Sequence, residues 1–232
     1  MSLPRARFWA QLERPSPATE LEKLAAAREA ALLIEPGMLV GLGSGSTVNR
    51  LIEVLAAVAP DAVFVAASPA SERAATASGL RVVLLDKTGR LDLAIDGADQ
   101  IDPNGWLIKG RGAAHTREKI LAAAAARFVV IASSDKPVER LRPPVPLELV
   151  PFAAETTLAA IGNTRLRAHT PRSPDGGIIA DFYGPVDDPG ELARRLDQQP
   201  GVVEHGLFPP ELVDLVIVAR GGITEVTPPS RG

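Results

Sequence analysis

The chain has 232 residues, with a hydrophobic fraction of 46%, a charged fraction of 23% and a formal net charge of −3. This length and composition predict a soluble globular protein with one sizeable core, or with one large and one small domain. The slight negative charge argues against a nucleic-acid partner, and the absence of any run of about 20 apolar residues argues against a membrane span.

The first part of the chain predicts an extension, a helix and a strand. Residues 1–17 carry three prolines and lack the apolar core of a signal peptide, so we expect a loosely docked extension on a cytoplasmic protein. Thr19 and Glu22 form a capping-box pattern, which predicts a helix that ends at Pro36-Gly37. The apolar run 38–42 predicts a strand that leads into the segment G-L-G-S-G-S-T and a helix ending at Pro60.

Apolar runs continue to alternate with helical segments up to Pro143. One helix is predicted between the cap Ser68 and Gly79, and an alanine-rich helix over 114–126. Strands are predicted at 63–67, 81–85, 91–95 and 128–132. Near-continuous apolar strands that alternate with helices are typical of a parallel sheet covered on both faces. The pattern therefore predicts an α/β fold with a Rossmann-like, mostly parallel sheet.

The character of the sequence changes near Pro143-Pro144. A smaller set follows, with strands near 145–150, 165–169, 177–183 and 202–208 and helices near 153–161 and 188–198, and it predicts an α+β, ferredoxin-like subdomain. The apolar run 213–219 is expected to return to the first sheet. We therefore expect a catalytic domain from 18–142 with 211–232, a small subdomain over 143–210 and the extension 1–17.

Four polar segments follow apolar runs of the first sheet, or the connections after them. They lie at 43–47, 96–99, 109–118 and 133–136. Because ligands of parallel sheets bind beyond the carboxyl ends of the strands, these segments are expected to meet at one edge. The densest chemistry, with two aspartates, a lysine, a glycine loop and a glutamate, falls between Asp96 and Ile120.

The segment G-S-G-S-T suits a phosphate, because free N–H groups and a partial charge of about +0.5 lie at a helix start. It is not a Walker loop, since no lysine follows Gly45, and Ser46 breaks the pattern G-x-G-x-x-G. A tight turn with a serine cap is the alternative interpretation. The segment indicates an anion site but no reaction.

The acidic residues also leave alternatives open. Asp96 and Asp99 could cap a turn, bind a metal ion, or hydrogen-bond sugar hydroxyls, and the nearby Lys109 favours the sugar. Glu118 could be an ordinary exposed helix carboxylate, but it lies in an early helical turn beyond a glycine loop. The chain has no cysteine, and the histidines 115, 169 and 205 are not at metal-ligand spacing, so we expect no metal.

Four segments resemble, in the same order and at similar spacing, the signatures of the type A ribose-5-phosphate isomerase family: G-L-G-S-G-S-T, D-G-A-D-Q-I, K-G-R-G-A-A-H-T-R-E-K-I and S-S-D-K. The resemblance extends over roughly residues 19–222. It implies that the chain interconverts D-ribose 5-phosphate and D-ribulose 5-phosphate with neither metal nor organic cofactor. It also implies a homodimer or a dimer of dimers, with a small-molecule sugar phosphate as its partner.

The same resemblance implies roles for individual residues. Glu118 is the expected base that moves a proton between C1 and C2, Asp96 and Asp99 the carboxylates that handle hydroxyl protons, and Lys109 the cation that stabilises the oxyanion. Lys23 is a further candidate for the phosphate. The expected substrate-binding residues are Ser44, Gly45, Ser46, Thr47, Asp96, Gly97, Ala98, Asp99, Lys109, Gly110, Arg111, Gly112 and Lys136.

The chain also departs from the family pattern. Arg111 stands where family members usually have a glycine, and His115 stands where an aliphatic residue is common. We expect His115 to be a partly exposed helix residue. Two competing functions are an aminosugar-phosphate deaminase or isomerase, which shares a similar phosphate loop, and a non-enzymatic sugar-phosphate sensor. The run K-G-R-G-A-A-H-T-R-E argues against the first, and the lack of a recognition helix argues against the second.

Overall fold

The computed structural model describes residues 17–87, 89–221 and 223–226. The extension predicted at 1–17 lies outside these residues except for Pro17. In the part of the chain that is described, no helix is long and apolar enough to cross a membrane.

The strands and helices alternate along most of the chain. The helices are α1 (Pro17–Ala31), α2 (Ser46–Val58), α3 (Pro69–Ala77), α4 (His115–Ala124), α5 (Ala154–Ile161) and α6 (Pro189–Asp197). The strands are β1 (Leu39–Leu42), β2 (Val63–Ala66), β3 (Leu93–Gly97), β4 (Gln100–Ile101), β5 (Leu107–Ile108), β6 (Phe128–Ser133), β7 (Val145–Leu149), β8 (Thr164–Leu166), β9 (Ile178–Phe182), β10 (Val202–His205), β11 (Leu207–Phe208), β12 (Leu215–Ala219) and β13 (Ile223–Val226).

The main sheet has six strands in the order β13-β12-β6-β3-β1-β2. Every neighbouring pair is parallel except β12 and β13, which pair antiparallel at one edge. Every residue of β6 and β12 is buried, as expected for inner strands of a parallel sheet covered on both faces. The predicted α/β class is therefore confirmed, and β12 returns to the first sheet as expected.

A second sheet has four antiparallel strands in the order β10-β7-β9-β8. Together with α5 and α6 it follows the chain order β-α-β-β-α-β, which is the ferredoxin-like arrangement. Its core packs buried apolar side chains of β7 and β9 against the two helices, with Leu147, Phe182, Leu158 and Leu196 at its centre. The predicted α+β unit is confirmed in its topology.

Three details of the first part of the chain differ from the predictions. Helix α1 begins at Pro17, so Thr19 lies inside its first turn. The Glu22 carboxylate does not complete a capping box, because it accepts hydrogen bonds from the backbone N–H and the hydroxyl of Ser134. The helix also ends at Ala31 rather than Pro36. Beyond Ala31 the backbone N–H groups of residues 32–34 each donate to the carbonyl three residues earlier, which is the hydrogen-bond pattern of a 3-10 helix.

The strand predicted at 81–85 was wrong. The backbone N–H of Phe64, in β2, donates to the carbonyl of Arg81, and the carbonyl of Phe64 accepts from the N–H of Val83. The chain then leaves the edge of the sheet and forms a 3-10 turn at Leu85–Lys87. Leu84 is exposed, so the segment has no second buried face to stabilise a strand. The small sheet β11-β5-β4 was not predicted, because strands of two residues carry no periodic signal.

The parallel pairing of β1 and β3 brings their carboxyl ends into very close contact. The N–H of Gly43 donates to the carbonyl of Ile95 at 3.0 Å. A Cβ atom on Gly43 would lie 1.8 Å from the Cγ atom of Asp96, which is buried. Glycine is therefore required at position 43 because the Asp96 carboxyl group occupies the space of a side chain.

We predict that Gly43→Ala lowers the free energy of unfolding by about 3 kcal/mol or more, the upper end of the range for overpacked sites. The physical reason is that the new methyl group can be accommodated only if the Asp96 carboxyl group or β1 moves. Urea denaturation measures the change. Gly190→Ala is the control, because a Cβ there meets its nearest neighbours at 3.4 Å and is expected to be nearly neutral. Equal stability of Gly43→Ala and the wild type would contradict the prediction.

Candidate active site

The polar segments meet in one cleft of about 770 Å³ at the carboxyl edge of the main sheet. All four predicted segments reach this edge, as the parallel topology requires. Asp96 does not line the cleft itself: it is buried beside Lys109, which does. The cleft is lined by Thr19, Lys23, Ser44, Gly45, Ser46, Thr47, Gly97, Ala98, Asp99, Lys109, Gly110, Arg111, Gly112, Glu118, Asp135 and Lys136. A second cavity, of about 680 Å³, lies between α1 and α2 and is lined mainly by apolar side chains.

Lys109 lies at the centre of the buried part of the site. Its ammonium group is 2.8 Å from Oδ2 of Asp96 and 3.2 Å from Oε2 of Glu118, and it donates to the carbonyl of Gly97 at 2.5 Å. The side chain is only 3% exposed. Burial alone opposes the charge, but the Asp96 and Glu118 carboxylates outweigh it and raise the pKa of Lys109. The ammonium therefore stays charged and lies between the two acids.

Asp96 is the next-to-last residue of strand β3 and is held by backbone groups as well as by Lys109. The N–H groups of Ser44 and Gly97 donate to its Oδ1 at 3.1 and 2.7 Å. Burial, and then the negative charge of Glu118, raise the pKa of Asp96 to about 7. Asp96 therefore changes its protonation state near neutral pH, which suits acid–base chemistry.

Glu118 lies in the first turn of α4 and is 4% exposed. Its Oε1 accepts a hydrogen bond from the hydroxyl of Ser44 at 2.5 Å, and its Oε2 faces Lys109. An ordinary surface glutamate would be solvated, so this alternative is wrong for Glu118. The carboxylate is held from two sides, by a hydroxyl and an ammonium group, at the inner end of the cleft.

The G-S-G-S-T segment forms the start of helix α2. Gly45 is the N-cap residue, with φ of 92°, and no side chain caps the helix. A serine cap, the alternative interpretation, is therefore wrong. The backbone N–H groups of the first turn, at Ser46 and Thr47, border the cleft and can bind an anion.

Two lysines lie near this helix start. The ammonium of Lys23, from α1, is 2.8 Å from Glu20, and that of Lys136, after β6, is 2.9 Å from Asp135. Both side chains line the cleft. These two ammonium groups and the backbone N–H groups at the start of α2 are donors that the cleft offers to an anion, and we call this part its positive end, although each lysine also has a carboxylate partner.

The second glycine loop, 110–112, is fixed by contacts that the sequence did not indicate. The N–H of Arg111 donates to Asp99 at 3.1 Å, and the guanidinium of Arg167 donates to the carbonyls of Gly110 and Arg111, each at 3.1 Å. Arg167 is itself paired with Asp181. The Arg111 side chain is exposed, and within the described residues no hydrogen bond or ion pair is seen for it. We have no physical account of the arginine at this position.

His115 was expected to be partly exposed, and this was wrong. Its side chain is fully buried at the start of α4, against Gly110, where a Cβ would lie 2.7 Å from the ring. Burial lowers the pKa of His115 to about 4, so the ring is neutral. The start of α4 therefore buries an uncharged ring.

One group in the described part of the chain has the spacing of a metal site, and it lies between α6 and β10 rather than in the cleft. It consists of Asp197, Glu204 and His205. Each of its members already has a partner: the His205 ring bonds Asp197 and the N–H of Leu207, and Glu204 pairs with Lys119. These contacts account for the cluster as a structural network.

Comparisons with known proteins agree with this geometry. Residues 63–222 match the family model described as ribose 5-phosphate isomerase A (phosphoriboisomerase A). Ribose-5-phosphate isomerase A of Methanosarcina acetivorans is 43% identical over 212 residues, which cover 84% of this chain and 90% of that protein.

Solved structures show the same fold. Ribose 5-phosphate isomerase A of Methanocaldococcus jannaschii superposes with a TM-score of 0.84 at 32% identity, over 90% of this chain and 99% of the other. A D-ribose-5-phosphate isomerase in complex with phospho-erythronic acid gives a TM-score of 0.85 at 35% identity, with the same coverage. The chain therefore belongs to the ribose 5-phosphate isomerase A family.

Proposed function

We propose that the protein is an aldose–ketose isomerase that interconverts D-ribose 5-phosphate and D-ribulose 5-phosphate in the non-oxidative pentose phosphate pathway. The observation that carries this proposal is the buried group of Glu118, Lys109 and Asp96, with Lys109 within 3.2 Å of both acids. A base beside a fixed cation is what proton abstraction next to a carbonyl requires.

Glu118 is the proposed base for the carbon-bound proton. Its carboxylate takes the proton from C2 of the open-chain aldose, and the C–H electron pair forms the C1–C2 double bond of a cis-enediolate. The charge then lies on O1, where the Lys109 ammonium stabilises it. The protonated Glu118 returns the proton to C1, O2 loses its hydroxyl proton as the C2 carbonyl forms, and O1 gains a proton to become the C1 hydroxyl of the ketose.

The aspartates are the proposed carriers of hydroxyl protons. Asp96, whose pKa burial raises to about 7, can either give or accept a proton near neutral pH. Asp99 lines the cleft and its carboxylate accepts the N–H of Arg111. We assign to these two groups the opening of the sugar ring and the proton exchange between O1 and O2.

The positive end of the cleft is the proposed phosphate site. The N–H groups at Ser46 and Thr47 and the ammonium groups of Lys23 and Lys136 surround it. The structural relative that binds phospho-erythronic acid, a phosphorylated sugar acid, supports a ligand of this kind. Binding energy from the phosphate can then place C1 and C2 beside Glu118.

We also propose how the chain is organised and assembled. Residues 18–142 with 211–232 form the catalytic domain, 143–210 form the small subdomain, and 1–17 form an extension, in a cytoplasmic protein. The chain associates as a homodimer or a dimer of dimers, as the family resemblance implies. Sedimentation velocity at micromolar concentration measures this, and a monomer alone would contradict it.

We predict that the purified protein converts ribose 5-phosphate to a ketose at the same rate with and without a metal chelator.

Glu118→Gln should lower kcat by about 10²–10⁴-fold, the usual contribution of a general base, and change KM little. A coupled ketose assay measures both values. The control is Glu155→Gln, which changes an exposed glutamate in the first turn of α5 and should leave kcat unchanged.

Three outcomes would contradict parts of this proposal. Near-normal turnover of Glu118→Gln would remove Glu118 as the base. Loss of activity with chelator would contradict a metal-free reaction. Binding of ribose 5-phosphate without any turnover by the wild type would favour a sugar-phosphate sensor.

We predict that kcat/KM rises with pH up to about 7, as Asp96 ionises and can accept a hydroxyl proton, and that Asp96→Asn removes this rise. Burial, and then the negative charge of Glu118, raise the pKa of Asp96 to about 7, so Asp96 gains its charge over this range. An asparagine has no proton to lose, so the part of the acid limb that Asp96 causes is absent in the variant. The pH profiles of the wild type and the variant measure this change.

Asp99→Asn serves as the control for this change, because it leaves the Asp96 carboxyl group in place. The titration of the substrate phosphate is common to all three proteins, so the difference between their profiles isolates the enzyme groups. An acid limb of Asp96→Asn that coincides with that of the wild type would show that Asp96 does not cause it.

A further inference from the structure

Helix α4 carries the proposed base, and no side chain caps its first turn. The helix has ten residues, and its N-cap residue is Ala114. Its buried residues are His115 and Glu118 in the first turn and Leu121 and Ala122 in the second half. The rotation of the first turn about the helix axis is therefore set by the packing of the His115 ring together with the polar contacts of the other residues in this turn.

One such contact links the first turn to the second sheet. The hydroxyl of Thr116 donates to Oε2 of Glu148, in β7, at 2.5 Å. The other oxygen of Glu148 accepts from the hydroxyl of Ser173, and the N–H of Gly177 donates to that hydroxyl at 2.9 Å. A Cβ on Gly177 would lie 2.2 Å from the Glu148 carboxyl group, so the glycine leaves the space that this group occupies.

Glu148 is an unusual residue to bury. Glu148 is only 1% exposed, and within the described residues no basic side chain forms an ion pair with it. Burying a carboxyl group away from water costs free energy that two hydroxyl donors recover only in part. Stability alone therefore does not account for Glu148, whereas a requirement for orientation does.

Thr116 and Glu118 lie on nearly opposite sides of the helix, because two residues correspond to a rotation of about 200°. Glu148 holds one side, and Ser44 and Lys109 contact the other. The Glu118 carboxylate is about 6 Å from the helix axis, so a rotation of about 10° moves it by about 1 Å. A displacement of this size can cost about 10²-fold in rate.

We infer that Glu148 is a positioning residue of the active site: through the Thr116 hydroxyl it sets the rotation of helix α4 and so the location of the Glu118 carboxylate. The inference rests on the proposed function of Glu118 as the base. It gives the second sheet a part in catalysis, although that sheet contributes no side chain to the cleft lining.

Thr116→Val tests the inference, because it removes the hydroxyl and keeps the shape of the side chain. We expect kcat to fall by about 10- to 100-fold with KM changed less than about 2-fold, since the phosphate site is untouched. Thr116→Ser restores the hydroxyl and should recover most of kcat. Unfolding curves of both variants show that the assays are made on folded protein.

Arg117→Gln is the matched control. Arg117 also links α4 to the 173–177 turn, through a pair with Asp175 at 2.6 Å, but this pair is exposed. Exposed pairs contribute little, so kcat should change less than about 2-fold. The inference is overturned if Thr116→Val keeps kcat within 2-fold of the wild type, if only KM changes, or if Thr116→Ser is as impaired as the valine variant.

A crystal structure of Thr116→Val provides a readout that does not depend on activity. We expect the distance between Oε2 of Glu118 and Nζ of Lys109 to change by about 1 Å from the 3.2 Å of the wild type. An unchanged distance would overturn the inference even if the protein proved to act on another substrate. Failure of the wild type to isomerise ribose 5-phosphate would instead count against the proposed function.

Discussion

The site depends on one buried ammonium group between two carboxyl groups. Taking each ion out of water costs several kcal/mol, and neither Asp96 nor Glu118 has another basic partner within the described chain. Lys109 offsets this cost for both acids at once. The Lys109 ammonium that stabilises the two buried acids in the folded protein is also placed to stabilise an oxyanion. The same contact therefore serves both the stability and the proposed chemistry. Burial, and then the negative charge of Glu118, still raise the pKa of Asp96, and the charge of Lys109 opposes this rise.

The main sheet supplies the framework for this contact. Asp96 is the next-to-last residue of β3, Ser44 follows β1, and Lys109 follows the short strand β5, so the three come from separate strand ends at one edge. Much of this could be predicted from sequence, because buried parallel strands are continuous apolar runs and their carboxyl ends must meet. The 81–85 segment was misjudged because its apolar residues lie at the edge of the sheet with only β2 as a neighbour. The Thr19–Glu22 pattern failed because a tertiary partner, Ser134, binds Glu22.

The residues of the site could be predicted from the sequence, whereas most of the contacts that hold them in place could not. Glu118, Asp96, Asp99 and Lys109 stood out because their chemistry is dense and local. The supporting residues did not: Arg167 bonds a loop 56 or 57 residues away, and Glu148 bonds Thr116 from 32 residues away. No local pattern marks a side chain whose partner lies in another sheet. The burial of His115 was missed for the same reason, since it depends on how the 110–112 loop folds over the helix.

The close contact of Gly43 with Asp96 has a consequence for how this protein can change over time. The space for a side chain at 43 is already filled by the carboxyl group at 96, so the two positions share one volume. A larger residue at 43 can be accepted only in a background where residue 96 has first become smaller, and such a background has lost the acid beside Lys109. We therefore expect that position 43 can change only after position 96 has changed. As long as Asp96 is kept, glycine must also be kept at position 43.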